Sequence, residues 1–337
     1  INRSWEAYSR DLYIRLIEPI REHLGTANML LVAPDSTLNV LPLGALLDRE
    51  NAFLLETYQI TYLTSGRDLL RMQSSELPSR PPLLFANPAF EEADAIAAPG
   101  SPDRSHRRAG SLRGIKYGPL PFAEAEAEAI APLFPAARTF IGADATETQL
   151  KQVRSPQFLH LATHGFFEGD RSAIAPNSAD PATEAGAIEN PLLLSGLALA
   201  GFNNRRSGNE DGVLTALEVT GLDLQGTELV VLSACETGLG RVEQGEGVYG
   251  LRRAFTLAGA QSQLMSLWNV DDESTRILME KYYQHLQQGE GRSEALRQAQ
   301  LEMMRDPYWS SPYFWAAFVP TGNWRSLSSH SHSDLDK

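Results

Sequence analysis

Cysteine is almost absent from this chain: Cys235 is the single one among 337 residues. One thiol excludes an intrachain disulfide framework and any zinc cage built on cysteines. Long hydrophobic runs are missing too. No apolar stretch approaches the ~20 residues a membrane-spanning helix needs, and no positively charged start leads into an apolar signal core. Basic residues are scarce, with 29 Lys and Arg against 42 Asp and Glu and a formal net charge of −13. A nucleic-acid surface, which needs clustered Lys and Arg, does not fit that balance. No short internal repeat is visible, and no residue pattern asks for a cofactor or a metal; none is expected. What remains is an acidic, soluble α/β protein, expected in the cytoplasm and away from membranes. A chain of this length buries roughly 75% of its unfolded surface on folding, so it needs no staple. It opens on Ile1 rather than Met, which reads as a piece cut from something longer.

Three stretches follow from the punctuation. Trp5, Tyr8, Leu12, Leu16, Ile20 and Leu24 stand at helical spacing up to Gly25, with Pro19 expected to kink or split the helix. Met29-Leu30-Leu31-Val32-Ala33 reads as a buried strand, and Tyr58 to Leu63 alternates as a second one. Leu77-Pro78-Ser79-Arg80-Pro81-Pro82 looks like a hinge. Residues 1–80 thus form a first, smaller α/β unit, and residues 81–325 the main domain. Within it, residues 91–121 are polar, rich in Gly, Pro and Arg, and read as a flexible loop. Residues 122–130 carry strong helix formers, and Thr146 with Gln149 suggests a helix cap. Strands are expected at 138–141, 157–163, 228–233, 262–267 and 314–319, with helices near 246–258, 273–288 and 292–305. Residues 168–211 read as an insertion, and residues 326–337 as a disordered tail. Short apolar strands alternating with helices predict a mostly parallel sheet covered on both faces.

Ligand sites in such sheets lie at the carboxyl ends of strands. Two expected strands end in reactive residues: one in His164-Gly165, the other in Ser233-Ala234-Cys235-Glu236-Thr237-Gly238. A thiol nucleophile needs an imidazole nearby and backbone N–H groups where the oxyanion develops. Gly165 lets a carbonyl approach its N–H without a Cβ in the way, and Cys235 offers its own N–H. His160 would share a strand face with His164 and reads as a hydrogen-bonded structural imidazole. A different chemistry is open as well: Cys235 and Arg241 stand at the Cys-x5-Arg spacing of phosphatases. Against it, Glu236 beside the thiol would repel a phosphate dianion. A catalytically silent, protein-binding scaffold is a further alternative.

The segments Phe158-Leu159-His160-Leu161-Ala162-Thr163-His164-Gly165, Leu232-Ser233-Ala234-Cys235-Glu236-Thr237-Gly238 and Tyr313-Phe314-Trp315-Ala316-Ala317-Phe318 resemble the hallmark segments of CHAT domains. These are caspase- and separase-like cysteine peptidases usually joined to tetratricopeptide repeats. The resemblance spans most of the chain. It implies a caspase-like three-layer sandwich, preceded by a smaller pseudo-caspase-like unit over residues 1–80. It also implies a His164/Cys235 dyad, an oxyanion hole of the Gly165 and Cys235 N–H groups, and protein substrates. Repeats or another regulatory domain are expected N-terminal to this stretch. Leu267-Trp268-Asn269-Val270-Asp271-Asp272 is similar to the separase segment whose Asp recognises a P1 arginine. Asp272, with Asp271 beside it, is therefore expected to line the P1 pocket, by charge-assisted pairing with a basic side chain. Both acids also suit the cap and first turn of a helix. Cleavage after basic residues would allow autoprocessing in the chain's own loops, at Arg108, Arg113 or Arg206.

Overall fold

The strands expected at 138–141, 157–163, 228–233 and 262–267 all form, each a short segment just long enough to cross a sheet. The structure, a computed structural model, describes residues 4–73, 77–78, 80–91, 115–167, 190–207, 209–233 and 246–328. In chain order its elements begin with α1 (Trp5–Leu16), α2 (Arg21–Leu24), β1 (Met29–Val32), α3 (Leu54–Thr57), β2 (Gln59–Tyr62) and α4 (Asp68–Arg71). The main domain continues with β3 (Leu83–Pro88), α5 (Pro121–Ile130), β4 (Arg138–Gly142), α6 (Glu147–Lys151), β5 (Phe158–Ala162) and β6 (Gly165–Phe167). Then come β7 (Ser195–Ala198), β8 (Val213–Thr215), α7 (Ala216–Val219), β9 (Leu229–Leu232), α8 (Glu246–Leu257) and β10 (Ser262–Ser266). The chain closes with α9 (Asp272–Gln287), α10 (Arg292–Arg305), α11 (Pro312–Trp315) and β11 (Phe318–Gly322).

Eight strands make one sheet in the order β1-β2-β11-β10-β9-β5-β3-β4. From β10 to β4 every pairing is parallel. β11 runs antiparallel to β10 and parallel to β2, and β2 is parallel to β1. The carboxyl ends of β3, β5, β9 and β10 therefore share one edge of the sheet, and those of β1 and β2 lie at the other. Residues 1–80 add their two strands to this same sheet. The mostly parallel, two-sided α/β architecture expected from the sequence is the observed one.

Alternation along each strand sends side chains to two separate cores. Phe158, Ala162, Leu229, Val231 and Leu264 face α5, α9 and α10. Leu159, Leu161, Val230, Leu232 and Met265 face the opposite layer with Ala216, Val219, Leu251 and Phe255 from α7 and α8. β5 is buried at all five positions, as a strand flanked by parallel neighbours must be. The caps are local: Thr146 Oγ1 accepts from Gln149 N at 3.2 Å, and Thr215 with Glu218 closes a capping box before α7.

Several expectations shift. Pro19 does split the first helix, as the sequence predicts. β1 is an edge strand and only half-buried along its length. The expected strand at 314–319 is displaced: Pro312 at the first position starts one helical turn, Trp315 Nε1 donates to Ser310 O, and the strand begins only at Phe318. The expected insertion contains buried strand β7, which joins β6 and β8 in a small antiparallel sheet. The end of the expected flexible loop, residues 115–120, is an arm without helix or strand, held by hydrogen bonds to Asn87 and Asn203.

Candidate active site

His164 stands just past β5, and its backbone is fastened before its ring is considered. Its carbonyl accepts from Ala198 N at 2.8 Å, and the neighbouring Thr163 Oγ1 donates to Ala198 O at 2.5 Å. The ring is then fixed from three sides. Nε2 lies 3.0 Å from Gly118 O. A carbonyl only accepts, so Nε2 carries the proton and Nδ1 is the basic nitrogen of the neutral ring. Tyr117 stacks on the imidazole, with ring centroids 4.4 Å apart and planes 13° from parallel. Phe90 meets it from another side at 5.2 Å.

The arm that supplies Tyr117 and Gly118 is itself held by two asparagines. Tyr117 N donates to Asn203 Oδ1 and Asn203 Nδ2 donates to Tyr117 O, both at 2.9 Å. Leu120 N donates to Asn87 Oδ1 at 2.7 Å, and Asn87 Nδ2 donates to Glu124 Oε2 at 3.0 Å. Asn87 sits at φ +44° within β3, a left-handed conformation that asparagine tolerates better than most residues. None of Tyr117, Gly118, Asn87 and Asn203 was singled out from the sequence. The available signal was an aromatic followed by Gly-Pro-Leu-Pro directly after a basic polar stretch.

Gly165 opens β6, opposite Leu197 of β7. β9 carries the second reactive end as far as Ser233, whose N donates to Leu161 O at 3.0 Å. Cys235 lies outside the described residues, as do Arg241, Arg108 and Arg113. β5 and β9 are adjacent and parallel, with Leu161 paired to Leu232. In sequence, His164 is three residues beyond Leu161 and Cys235 three residues beyond Leu232.

Asp271 and Asp272 follow β10 at the same sheet edge. Asp271 caps α9, its Oδ1 accepting from Ser274 N at 2.9 Å, and is exposed; Asp272 is the first residue of the helix and half-buried. Arg206 is exposed in the turn between β7 and β8, its N donating to Gly201 O at 3.0 Å. His160 is fully buried, with Nδ1 3.1 Å from the Tyr283 hydroxyl. Burial pushes that phenol well above its ordinary value, so it stays an O–H group. Among the described residues, no group of three or more His, Cys, Asp or Glu is arranged to hold a metal, and no helix is long and apolar enough to cross a membrane.

This chain belongs to the CHAT domain family, whose model matches residues 6–323. Among curated proteins it is similar to Tetratricopeptide repeat protein 28 of Homo sapiens, 27% identical over 340 residues, and of Mus musculus, 26% identical over 338 residues. Each match takes in 96% of this chain, which spans only 13% of the relative. Among solved structures it is similar to separase in the Saccharomyces cerevisiae separase–securin complex, with a TM-score of 0.48 and 15% identity over 93% of this chain and 17% of that one. It is also similar to the Arg-specific cysteine proteinase gingipain R, with a TM-score of 0.49 and 9% identity over 96% of this chain and 67% of that one.

Proposed function

We propose that this domain is a cysteine endopeptidase that cleaves protein substrates after a basic residue, using His164 and Cys235. The observation that supports it best is the register: adjacent parallel strands β5 and β9 are paired at Leu161 and Leu232, and each candidate stands three residues further on.

In this reading His164 Nδ1 takes the thiol proton of Cys235, the resulting thiolate attacks the scissile carbonyl carbon, and the N–H groups of Gly165 and Cys235 hold the oxyanion. The C–N bond breaks as His164 Nδ1 delivers a proton to the leaving amine, which leaves a thioester on Cys235. Water then attacks the thioester and gives a proton to His164, which returns it to the departing Cys235 sulfur, releasing the carboxylic acid and the free thiol. The Gly118 carbonyl takes the orienting role that a third side chain fills in many hydrolases: it keeps the proton on Nε2 and steadies the imidazolium when both nitrogens are protonated. Asp272, at the start of α9, faces the P1 side chain in this scheme and pairs with Lys or Arg. Asp271 is committed to its cap but adds negative charge to the same edge. Cleavage at Arg206, Arg108 or Arg113 would be the same specificity turned on the chain itself. Repeats or another regulatory domain would present the substrate from outside this stretch.

A positional-scanning peptide library run on the wild type, Cys235→Ala and His164→Ala tests this. The expected result is cleavage after Arg or Lys by the wild type alone. Preference for an acidic P1, or full activity in Cys235→Ala, would refute it. A second reading, a protein-binding scaffold without turnover, draws on the tetratricopeptide-repeat relatives. It predicts that neither substitution alters any measured property except thiol labelling.

A further inference from the structure

A carboxylate is buried between the two strands that lead to the dyad. α5 turns Ala123, Glu126, Ala127 and Ile130 inward on its buried face, three apolar side chains and one acid. Glu126 is only 2% exposed, in a layer of alanine, phenylalanine and leucine. Taking a carboxylate out of water costs several kcal/mol, and packed hydrocarbon of equal volume is often as stable or better. Packing alone therefore gives little reason for an acid here. Its partners give one. Glu126 Oε2 accepts from Ser233 Oγ at 2.9 Å. Its Oε1 lies 3.0 Å from His160 Nε2, off the hydrogen-bond line and so a close polar contact rather than a bond. His160 Nδ1 in turn meets the Tyr283 hydroxyl from α9 at 3.1 Å.

The two protein segments so joined are those that matter. His160 lies on β5, four residues before His164, and Ser233 follows β9, two residues before Cys235. His160 is paired with Val231, so His160 and Ser233 are diagonal neighbours on one sheet face, and one carboxylate reaches both.

Resting on the peptidase reading, we propose that Glu126 is a positioning residue. It clamps Ser233 to His160 and so fixes the spacing of the two strand ends that carry Cys235 and His164. It touches no substrate. Without the clamp, the end of β9 keeps its backbone bond to Leu161 but loses the side-chain anchor at Ser233, two residues before Cys235. A misplacement of about 1 Å at a reacting group can cost on the order of a hundredfold in rate.

The lone cysteine makes the test clean, because each iodoacetamide adduct reads Cys235 alone. The second-order rate of alkylation and its pH midpoint are measured on the native wild type, His164→Ala, Ser233→Ala and Glu126→Gln, with thermal unfolding alongside. Ser233→Ala removes one hydroxyl and with it the hydrogen bond to the buried Glu126, so thermal unfolding shows whether it stays folded; Glu126→Gln keeps an oxygen for Ser233 and is the second, milder variant. The expected result is that His164→Ala and Ser233→Ala both slow alkylation by about tenfold or more and raise its pH midpoint. Glu126→Gln should fall between Ser233→Ala and the wild type. On a cleavable peptide, Ser233→Ala should lower kcat while KM stays within about twofold, a split that loss of folded protein does not produce. Wild-type alkylation in Ser233→Ala and Glu126→Gln, with His164→Ala clearly altered, would overturn the positioning role and spare the dyad. Wild-type alkylation in His164→Ala would sink the dyad itself, and the positioning role with it.

Discussion

Replacing Glu147 with glutamine should make the domain's stability less sensitive to rising pH between about 5 and 7, and the sign of that effect is set by burial. Glu147 opens α6 with a side chain only 1% exposed. Lys151 Nζ lies 2.7 Å from it, but also 3.0 Å from Glu210 and 3.2 Å from Glu218, so one ammonium serves three carboxylates. Desolvation wins: the Glu147 carboxyl is pushed up to about 8 from an ordinary value of 4.5, with Lys151 offsetting only part of the shift. Between those two values the folded state holds a proton that the unfolded state releases, so stability falls as pH rises through that window. One pKa unit is 1.36 kcal/mol, so the loss from about pH 5 to about pH 7 is roughly 2–3 kcal/mol. Glutamine removes the titration, and any constant cost of the substitution cancels in the comparison. Urea unfolding of both proteins across this range, followed by circular dichroism, reads the difference. Stability of Glu147→Gln relative to wild type should climb with pH. A flat or falling difference would mean that Glu147 is ionised and satisfied by Lys151, and the desolvation argument would be wrong.

Other outcomes follow from named contacts. Tyr62 is 1% exposed; its hydroxyl accepts from Leu43 N at 2.8 Å and donates to Leu41 O at 2.7 Å. Tyr62→Phe strands both backbone groups and should cost about 2–4 kcal/mol in chemical denaturation; a change below about 0.5 kcal/mol would show that water replaces the hydroxyl. Tyr117→Ala removes the ring stacked on His164 and should lower kcat/KM about threefold to tenfold, the worth of one aromatic pair. An unchanged kcat/KM would mean that Gly118 orients the imidazole alone. Asp272→Asn should reduce discrimination for Arg over Ala at P1 by about tenfold to a hundredfold, as expected for a charge-assisted bond, with unfolding unchanged. Equal selectivity in the variant would return Asp272 to a purely helical role.

The sheet was legible wherever burial was two-sided. Leu229 to Leu232 is a continuous apolar run, and Phe158 to Ala162 is broken only by His160, because parallel neighbours and two helical layers bury both faces. The position of His164 at a strand end was readable for the same reason. The final strand was not: Phe314 to Val319 is apolar throughout, and a run without alternation does not distinguish a buried turn of helix from a strand. Pro312 at the first helical position decides it. The arm carrying Tyr117 and Gly118 was hidden because its order is borrowed. It is held by Asn87 and Asn203, which are 30 and 86 residues away in sequence. Glu126 was hidden for the opposite reason: in an Ala-Glu alternation it looks like one more solvated helix acid, and only the packing of α5 on β5 and β9 turns it inward.

The central claim is that Cys235 is a nucleophile served by His164. Incubation with a peptidyl electrophile bearing Arg at P1, followed by intact mass, tests it most directly on a chain with one cysteine. The account predicts a single adduct on Cys235 in the native wild type, and strong suppression both after denaturation and in His164→Ala. Equal labelling of native, denatured and His164→Ala protein would contradict it.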